Sequence, residues 1–307
     1  MKEGLRECAL CPRQCRIDRG SGRGYCGEGE TVRVARASLH MWEEPCISGK
    51  AGSGTIFFSG CPLRCVFCQN REIALGTKGK ELTIGQLSKL FLVLQSKGAN
   101  NINLVTPTHF VPQITEALKM SRSEGLAIPV VYNTSGYERA ATLRMLDGLV
   151  DIYLPDLKYC SRELSARYSN APEYFSCASL AIAEMVRQVG TPLFDDSFSG
   201  ERLMKRGVIV RHMVMPGHTK DSKAVIKYLY DTYRDDIYMS IMNQYTPRND
   251  MEDYPGICRR VTRREYQRVV DYAIALGVEN AFVQEGDTAS ESFIPDFDEE
   301  IYLSEVL

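Results

Sequence analysis

GTIFFSGCPLRCVFCQN, residues 54–70, places Cys61, Cys65 and Cys68 within eight residues, directly after a short apolar run. That run, TIFFSG (55–60), reads as a buried strand. Structural zinc sites normally take four ligands in two well-separated pairs. A [4Fe–4S] cube normally takes four cysteines. Three thiols from one loop would leave one iron without a protein ligand, open to a substrate or cofactor, as in catalytic metal sites. Three ordinary buried cysteines, or a redox pair plus a spare, fit the spacing and strand-end position less well.

Outward from this loop, strand-like and helix-like segments alternate. TIGQLSKLFLVLQSKG (83–98) has the period of an amphipathic helix ended by Gly98. NINLVTP (101–107) precedes a helix over 111–125. IPVVYNTSG (128–136) precedes one over 138–148, and DIYLPDLK (151–158) a helical region ending near Gly190. GVIVRHMVMPG (207–217) and DIYMSIMNQYTP (236–247) lead into helices over 221–236 and 262–277, and NAFVQE (280–285) is a last strand. Six strand–helix units and a final strand predict an α/β fold, a partial (β/α)6 TIM-like barrel built on a parallel sheet. Polar residues recur at the strand ends: Ser59, Thr106 with His109, Asn133 to Ser135, Asp156 with Lys158, and Asn243 with Gln244. Each alone is an ordinary cap or loop start. Five strands ending alike point to a site at the C-terminal face, where barrel enzymes keep theirs. Segment 190–206 reads as a loop near the barrel mouth.

Residues 1–50 form a small Cys-rich N-terminal extension with one strand, TVRVARASLH (31–40), and residues 51–307 form the barrel. Cys8, Cys11, Cys15 and Cys26 match the ligand count of a structural zinc ion or an auxiliary iron–sulfur cluster. A segment too polar for its own apolar core gains a clear benefit from such a staple. Cys46, Cys160, Cys177 and Cys258 read as small buried residues. The chain has 307 residues, of which 44% are hydrophobic and 25% charged, as in ordinary soluble proteins. No apolar run reaches the roughly eighteen residues of a membrane span, and MKEGLRECALCPRQC lacks the apolar core of a signal peptide. A net charge of −2 without long like-charge blocks gives no nucleic-acid footprint. Eleven cysteines without a leader suit reduced, metal-serving thiols in the cytoplasm.

Cys61-x3-Cys65-x2-Cys68, with Phe67 before the last cysteine, resembles the cluster motif of radical S-adenosylmethionine (SAM) enzymes. The longer string SGCPLRCVFCQN resembles the activating enzymes of glycyl-radical proteins, and more narrowly their pyruvate formate-lyase activating enzyme-like relatives. CALCPRQC (8–15), HMWEEP (40–45), NLVTPTHF (103–110), YLPDLK (153–158), RHMVMPGH (211–218) and MNQYTPR (242–248) extend that resemblance along the chain. It implies a [4Fe–4S] cluster on Cys61, Cys65 and Cys68, with SAM chelating the fourth iron through its methionyl amine and carboxylate. Phe67 would lie near the adenine, Asn133 and Ser135 would face SAM, Asp156 and Lys158 would line the cavity, and Arg211 would contact SAM's carboxylate or ribose. Family members carry a Gly-Gly-Glu segment after the second barrel strand. Here Val105 to His109 stand there with no acidic residue, so Thr106 or His109 is expected to take the amine contact.

The resemblance further implies reductive cleavage of SAM to a 5′-deoxyadenosyl radical, installation of a glycyl radical on a partner protein, and flavodoxin or ferredoxin as electron donor. A radical SAM enzyme acting on a peptide or small molecule is the alternative. An inactive metal-binding interaction protein is a third reading, and the intact three-cysteine loop weighs against it.

Overall fold

The computed structural model describes residues 3–198, 201–284 and 302–307. Its ten strands are β1 (Val32–His40), β2 (Ser53–Phe58), β3 (Lys80–Leu82), β4 (Ile102–Val105), β5 (Val130–Thr134), β6 (Ile152–Pro155), β7 (Leu193–Phe198), β8 (Glu201–Met213), β9 (Tyr238–Met242) and β10 (Ala281–Val283). They form one sheet in the order β10-β9-β8-β6-β5-β4-β2-β1-β3, with β7 paired to β8 alone. Every neighbouring pair from β2 to β10 along that path is parallel. β1 and β3 extend the β2 side antiparallel.

Spatial order follows chain order from β2 to β10, as successive strand–helix units require. The expected six units and final strand are all present, and β10 and β3 remain as edges, so the barrel is open. Strand alternation separates two interiors. Ile56, Leu104, Tyr132, Tyr153 and Val208 lie side by side in register and face outward. They pack with Leu90, Phe91, Ile114, Leu118 and Ile182 of the covering helices in the main core. One residue along, Phe57, Val105 and Asn133 turn inward and line a cavity.

The helices follow local signals. Thr83 with Gln86 and Thr262 with Glu265 make capping boxes that start the helices Ile84–Ser96 and Arg263–Leu276. Two expectations need correction. The helix over 138–148 is one short turn, Ala140–Leu143, followed by a 3-10 turn. Within segment 190–206, expected as a loop, β7 (Leu193–Phe198) pairs antiparallel with residues 201–206 of β8. The segment's acidic and Gly-containing composition hides the strand alternation of LFDDSF. The antiparallel pair extends from the N-terminal end of the barrel part of β8, because Gly207 pairs with Ile152 at the start of β6.

The connection 41–52 crosses the same end. Cys46 and Ile47 on its short helix (Pro45–Ser48) pack against Val131, Ile152, Leu154, Met204 and Ile209, closing the barrel floor. Asn100 and Asn101 hold it through hydrogen bonds to the carbonyls of Ser48 (2.6 Å) and Ile47 (2.8 Å). The turn out of that helix requires Gly49, whose φ is +50° and whose missing Cβ would lie 2.8 Å from the Asn100 amide.

At the opposite end the N-terminal segment packs over the strand termini. Arg13 donates to the Pro62 carbonyl at 2.9 Å, Thr142 donates to the Leu10 carbonyl at 2.7 Å, and Arg139 donates to the Ala9 carbonyl. Glu138 pins the ends of β4 and β5 together, accepting from Thr108 Oγ1 (2.5 Å), Thr134 Oγ1 and Tyr132 OH (3.4 Å). Burial raises its carboxyl to about 7, against hydrogen bonds that lower it. A carboxyl raised on folding binds more protons folded than unfolded, so it favours the fold below its unfolded value and loses that contribution as pH rises towards 7. Relative to Glu138→Gln, which keeps the shape and cannot ionise, the wild type should therefore lose about 3 kcal/mol of stability between pH 4.5 and pH 8. Urea unfolding of both proteins across that range checks it, and parallel pH profiles would contradict it.

Candidate active site

The chain leaves β2 through Ser59 and Gly60. A side chain at Gly60 would collide with Glu28 Cγ (2.5 Å) and the Cys26 carbonyl (2.7 Å) of the N-terminal segment. The Cys61 N–H then donates to that same Cys26 carbonyl at 3.2 Å. The two cysteine groups, far apart in composition and spacing, therefore meet at one strand end.

Within the loop, sulfur accepts where a thiolate would need it. The Leu63 N–H points at Cys61 Sγ (3.4 Å), Ser169 Oγ donates to Cys65 Sγ (3.0 Å), and the Asn70 backbone N–H bonds Cys68. Burial pushes the Cys65 thiol up to about 11 and the Cys68 thiol up to about 12, with Lys158 pulling both the other way. Cys61 and Cys65 each raise a neighbouring thiol further, so the three sulfurs share one electrostatic environment. Such a set favours ionised thiols only when a cation is present to compensate them. Among the described residues no three His, Cys, Asp or Glu side chains converge as a single metal ion requires.

A cavity of about 1080 Å³ runs from the floor connection to Gln69 and Asn70, just after the loop, and Cys61, Cys65 and Cys68 do not line it. Of the eight residues expected to contact a cofactor, Asn133 and Arg211 line it. Arg211, on β8, donates from Nε to Asp156 Oδ1 (3.0 Å), from one terminal nitrogen to Asn133 Oδ1 (2.6 Å), and from the other to Glu43 Oε2 (3.4 Å). Lys158 Nζ donates to the second oxygen of Asp156 at 2.6 Å. Burial would raise the Asp156 carboxyl, yet Lys158 and Arg211 hold it below the usual range. Burial would lower Lys158, yet Asp156 raises it, so both stay charged. Lys158 thus stands between the network and the cysteine loop.

The remaining expected contacts sit behind this wall. Phe67 is buried against the Tyr245 ring, centroids 5.9 Å apart. Thr106 has a positive φ of 58°, a strained conformation for a Thr, and its N–H donates to the Asn133 carbonyl at 2.9 Å. The Ser135 carbonyl accepts from Tyr174 OH at 2.8 Å. His109 does not reach the cavity. Its Nε2–H donates to the Ser59 carbonyl at 2.6 Å, its ring lies against Phe110, and burial, with Arg19 nearby, lowers it to about 3. A neutral, buried imidazole that props the start of the cysteine loop is a positioning group, which answers the expectation of a cofactor contact with a structural role.

Sequence reasoning missed Glu43 and Glu44, which arrive from the floor connection. Glu43 Oε1 accepts from Asn103 (3.0 Å) and Asn133 (3.3 Å). Burial raises both carboxyls, and Arg211 opposes that for each. The signal available was HMWEEP itself, two adjacent acids in a stretch otherwise rich in Cys, Arg and Gly.

An open, mostly parallel α/β barrel with three thiols on the first strand's loop over an ion-lined cavity defines a class of metal-dependent barrel enzymes. The sequence profile described as the radical SAM superfamily matches residues 55–229, and the chain belongs to that superfamily. The uncharacterized protein MJ0674 of Methanocaldococcus jannaschii is 28% identical over 280 residues, covering 89% of this chain and 75% of that one. A radical SAM methyltransferase from Sphaerobacter thermophilus superposes with a TM-score of 0.52 at 16% identity, over 76% of this chain and 66% of its own, a likeness of fold. A domain of the pyruvate-formate lyase-activating enzyme from Bacteroides vulgatus covers 57% of this chain and 92% of that one at 13% identity, but its TM-score of 0.39 carries no weight. No helix among the described residues is long and apolar enough to cross a membrane.

Arg211→Ala would leave Glu43 without its cation and Asp156 with Lys158 alone. Breaking a buried pair in this way costs about 3–5 kcal/mol, read as a lower midpoint in chemical unfolding. A loss below about 1 kcal/mol, the range of exposed pairs, would contradict the network.

Proposed function

We propose that Cys61, Cys65 and Cys68 hold a [4Fe–4S] cluster whose open iron binds SAM, and that the chain installs a glycyl radical on a partner protein. The observation that carries the cofactor reading is the three-thiol loop after β2, with Cys65 buried and Cys61 and Cys68 half-buried, next to the cavity that Asn133 and Arg211 line. When bound, the cluster and SAM supply reductive cleavage of SAM and a hydrogen-abstracting radical. The chain's own residues supply the rest. Lys158 offsets negative charge at the thiols, and Asp156 fixes both Lys158 and Arg211. Arg211 and Asn133 present a cation and an amide to the polar parts of SAM, and the apolar walls keep water from the reacting groups. Thr106, Ser135 and Phe67 complete the cofactor's surroundings in this proposal, although none of them lines the cavity. Flavodoxin or ferredoxin provides the electron.

A cavity of about 1080 Å³ is at the upper end for small-ligand pockets, which supports a peptide segment in it beside SAM. A peptide or small-molecule substrate without a glycyl-radical partner is the second reading. Anaerobically reconstituted, reduced protein should convert SAM to 5′-deoxyadenosine and methionine, while Cys61→Ala should lose both cluster iron and that conversion. Intact iron content in Cys61→Ala, with no 5′-deoxyadenosine from the wild type, would refute the cofactor reading. A glycyl radical trapped by electron paramagnetic resonance on a co-purified partner would decide between the two substrates.

Cys8, Cys11, Cys15 and Cys26 belong to the proposal as a second metal centre. Burial pushes Cys11 up to about 12 and raises Cys26, and Gly24 lies against both Cys15 Sγ and Cys26 Sγ. Four thiolates serve a zinc ion or an iron–sulfur group. Metal analysis should find zinc, or iron beyond one cube, with that metal lost in Cys11→Ser. Iron for one cube alone, without zinc, would refute a second centre.

A further inference from the structure

We propose that Glu43 and Glu44 form an anionic floor that receives an alkylammonium or guanidinium group of the substrate. The inference rests on reading the barrel cavity as substrate space, and it names the chemistry that space selects.

Both residues line the cavity, on the connection that closes its base. Glu44 is only 9% exposed, and its Oε2 has no hydrogen-bond partner. A buried carboxylate oxygen without a donor is costly, and natural structures keep one only where something else supplies the donor. The cations within reach are engaged. Arg211 gives its short contacts to Asp156 and Asn133, and meets Glu43 only at 3.4 Å. Lys158 is bound to Asp156. Arg36 donates to Ser38, Lys50 reaches Glu201 at the rim, and Arg202 lies over the Phe194 ring. Of the other groups facing the pair, His40 is kept neutral by burial and by Arg36, and burial pushes the Cys46 thiol up to about 12. Ser240 and Arg211 also act on the Glu44 carboxyl, and Asn103, Asn133 and Arg211 on Glu43, so the acceptor the floor leaves without a donor is Glu44 Oε2.

The cavity lining is mixed, with Phe57, Val105, Tyr238, Met242 and Phe282 among its apolar members and Gln69, Ser240 and Gln244 among its polar ones. Apolar surface beside a carboxylate with one oxygen lacking a donor fits an aliphatic stem with a cationic head, as in a lysine or arginine side chain. SAM also carries an ammonium, so the same chemistry has two sources, and the test must separate them.

Agmatine, with glutarate as an anionic control of similar length, serves as the probe, and equilibrium dialysis on cluster-reconstituted protein measures it alongside SAM. Saturable agmatine binding without glutarate binding is expected. Glu44→Gln should weaken agmatine at least about tenfold, the worth of one charge-assisted hydrogen bond, while SAM affinity moves less than about twofold. Glu43→Gln should weaken agmatine in the same direction, so the result does not hang on one variant. Equal binding of agmatine and glutarate, or agmatine affinity untouched in both variants, would overturn the proposal. A parallel loss of SAM affinity in Glu44→Gln would also overturn it, by giving the carboxylate to the cofactor's own ammonium. Agmatine binding without any SAM binding would refute the cofactor reading and leave the cation site standing.

Discussion

Arg211 holds the inside of this barrel together. One guanidinium reaches Asp156 beyond β6, Asn133 on β5 and Glu43 on the floor connection, from its own place on β8. Its five donors in a planar fork suit three acceptors at different angles, which a lysine ammonium on a flexible stem would not hold in place. Asp156, Lys158 and Arg211 are thus kept ionised in a space where either charge alone would be expelled or neutralised. The site is polar because its ions are mutually committed, and their commitment fixes four separate elements relative to one another.

From that clamp the layout follows in two directions. Upward, Asp156 fixes Lys158, whose positive charge acts on Cys65 and Cys68. Downward, Glu43 ties the floor to β4 and β5 through Asn103 and Asn133. The N-terminal segment completes the frame from above: the Cys26 carbonyl accepts from the Cys61 N–H, and Gly60 leaves room for that contact. A cysteine-rich appendage therefore shapes the loop of the other three cysteines by direct contact.

Periodicity made the fold legible. Buried parallel strands and amphipathic helices alternate in phase with the chain, and each strand predicted from residue 55 onward is present. The β7–β8 pair was missed because Asp195 and Asp196 look like loop residues while β-pairing overrides local preference. The short third crossover was overcalled because the region 138–148 has helical composition but only a small space to fill. Within the site, Asp156, Lys158 and Asn133 were visible as polar residues at strand ends, and Arg211 through the family resemblance. His109 misled because position at a strand end does not say which face a side chain takes, and packing against Ser59 and Phe110 decided that. Glu43 and Glu44 stood in HMWEEP, but their place in the site was hidden for a different reason. They enter from a connection at the far end of the barrel, and no one-dimensional spacing relates them to β5 or β8.

The central claim is that three thiolates leave one iron of a cluster open for SAM. Electron paramagnetic resonance of the reduced, reconstituted protein, recorded before and after SAM is added, tests this most directly. The account predicts a cluster signal in the wild type whose g-values shift on SAM addition, as a new ligand reaches the open iron. A cluster signal identical with and without saturating SAM would contradict it.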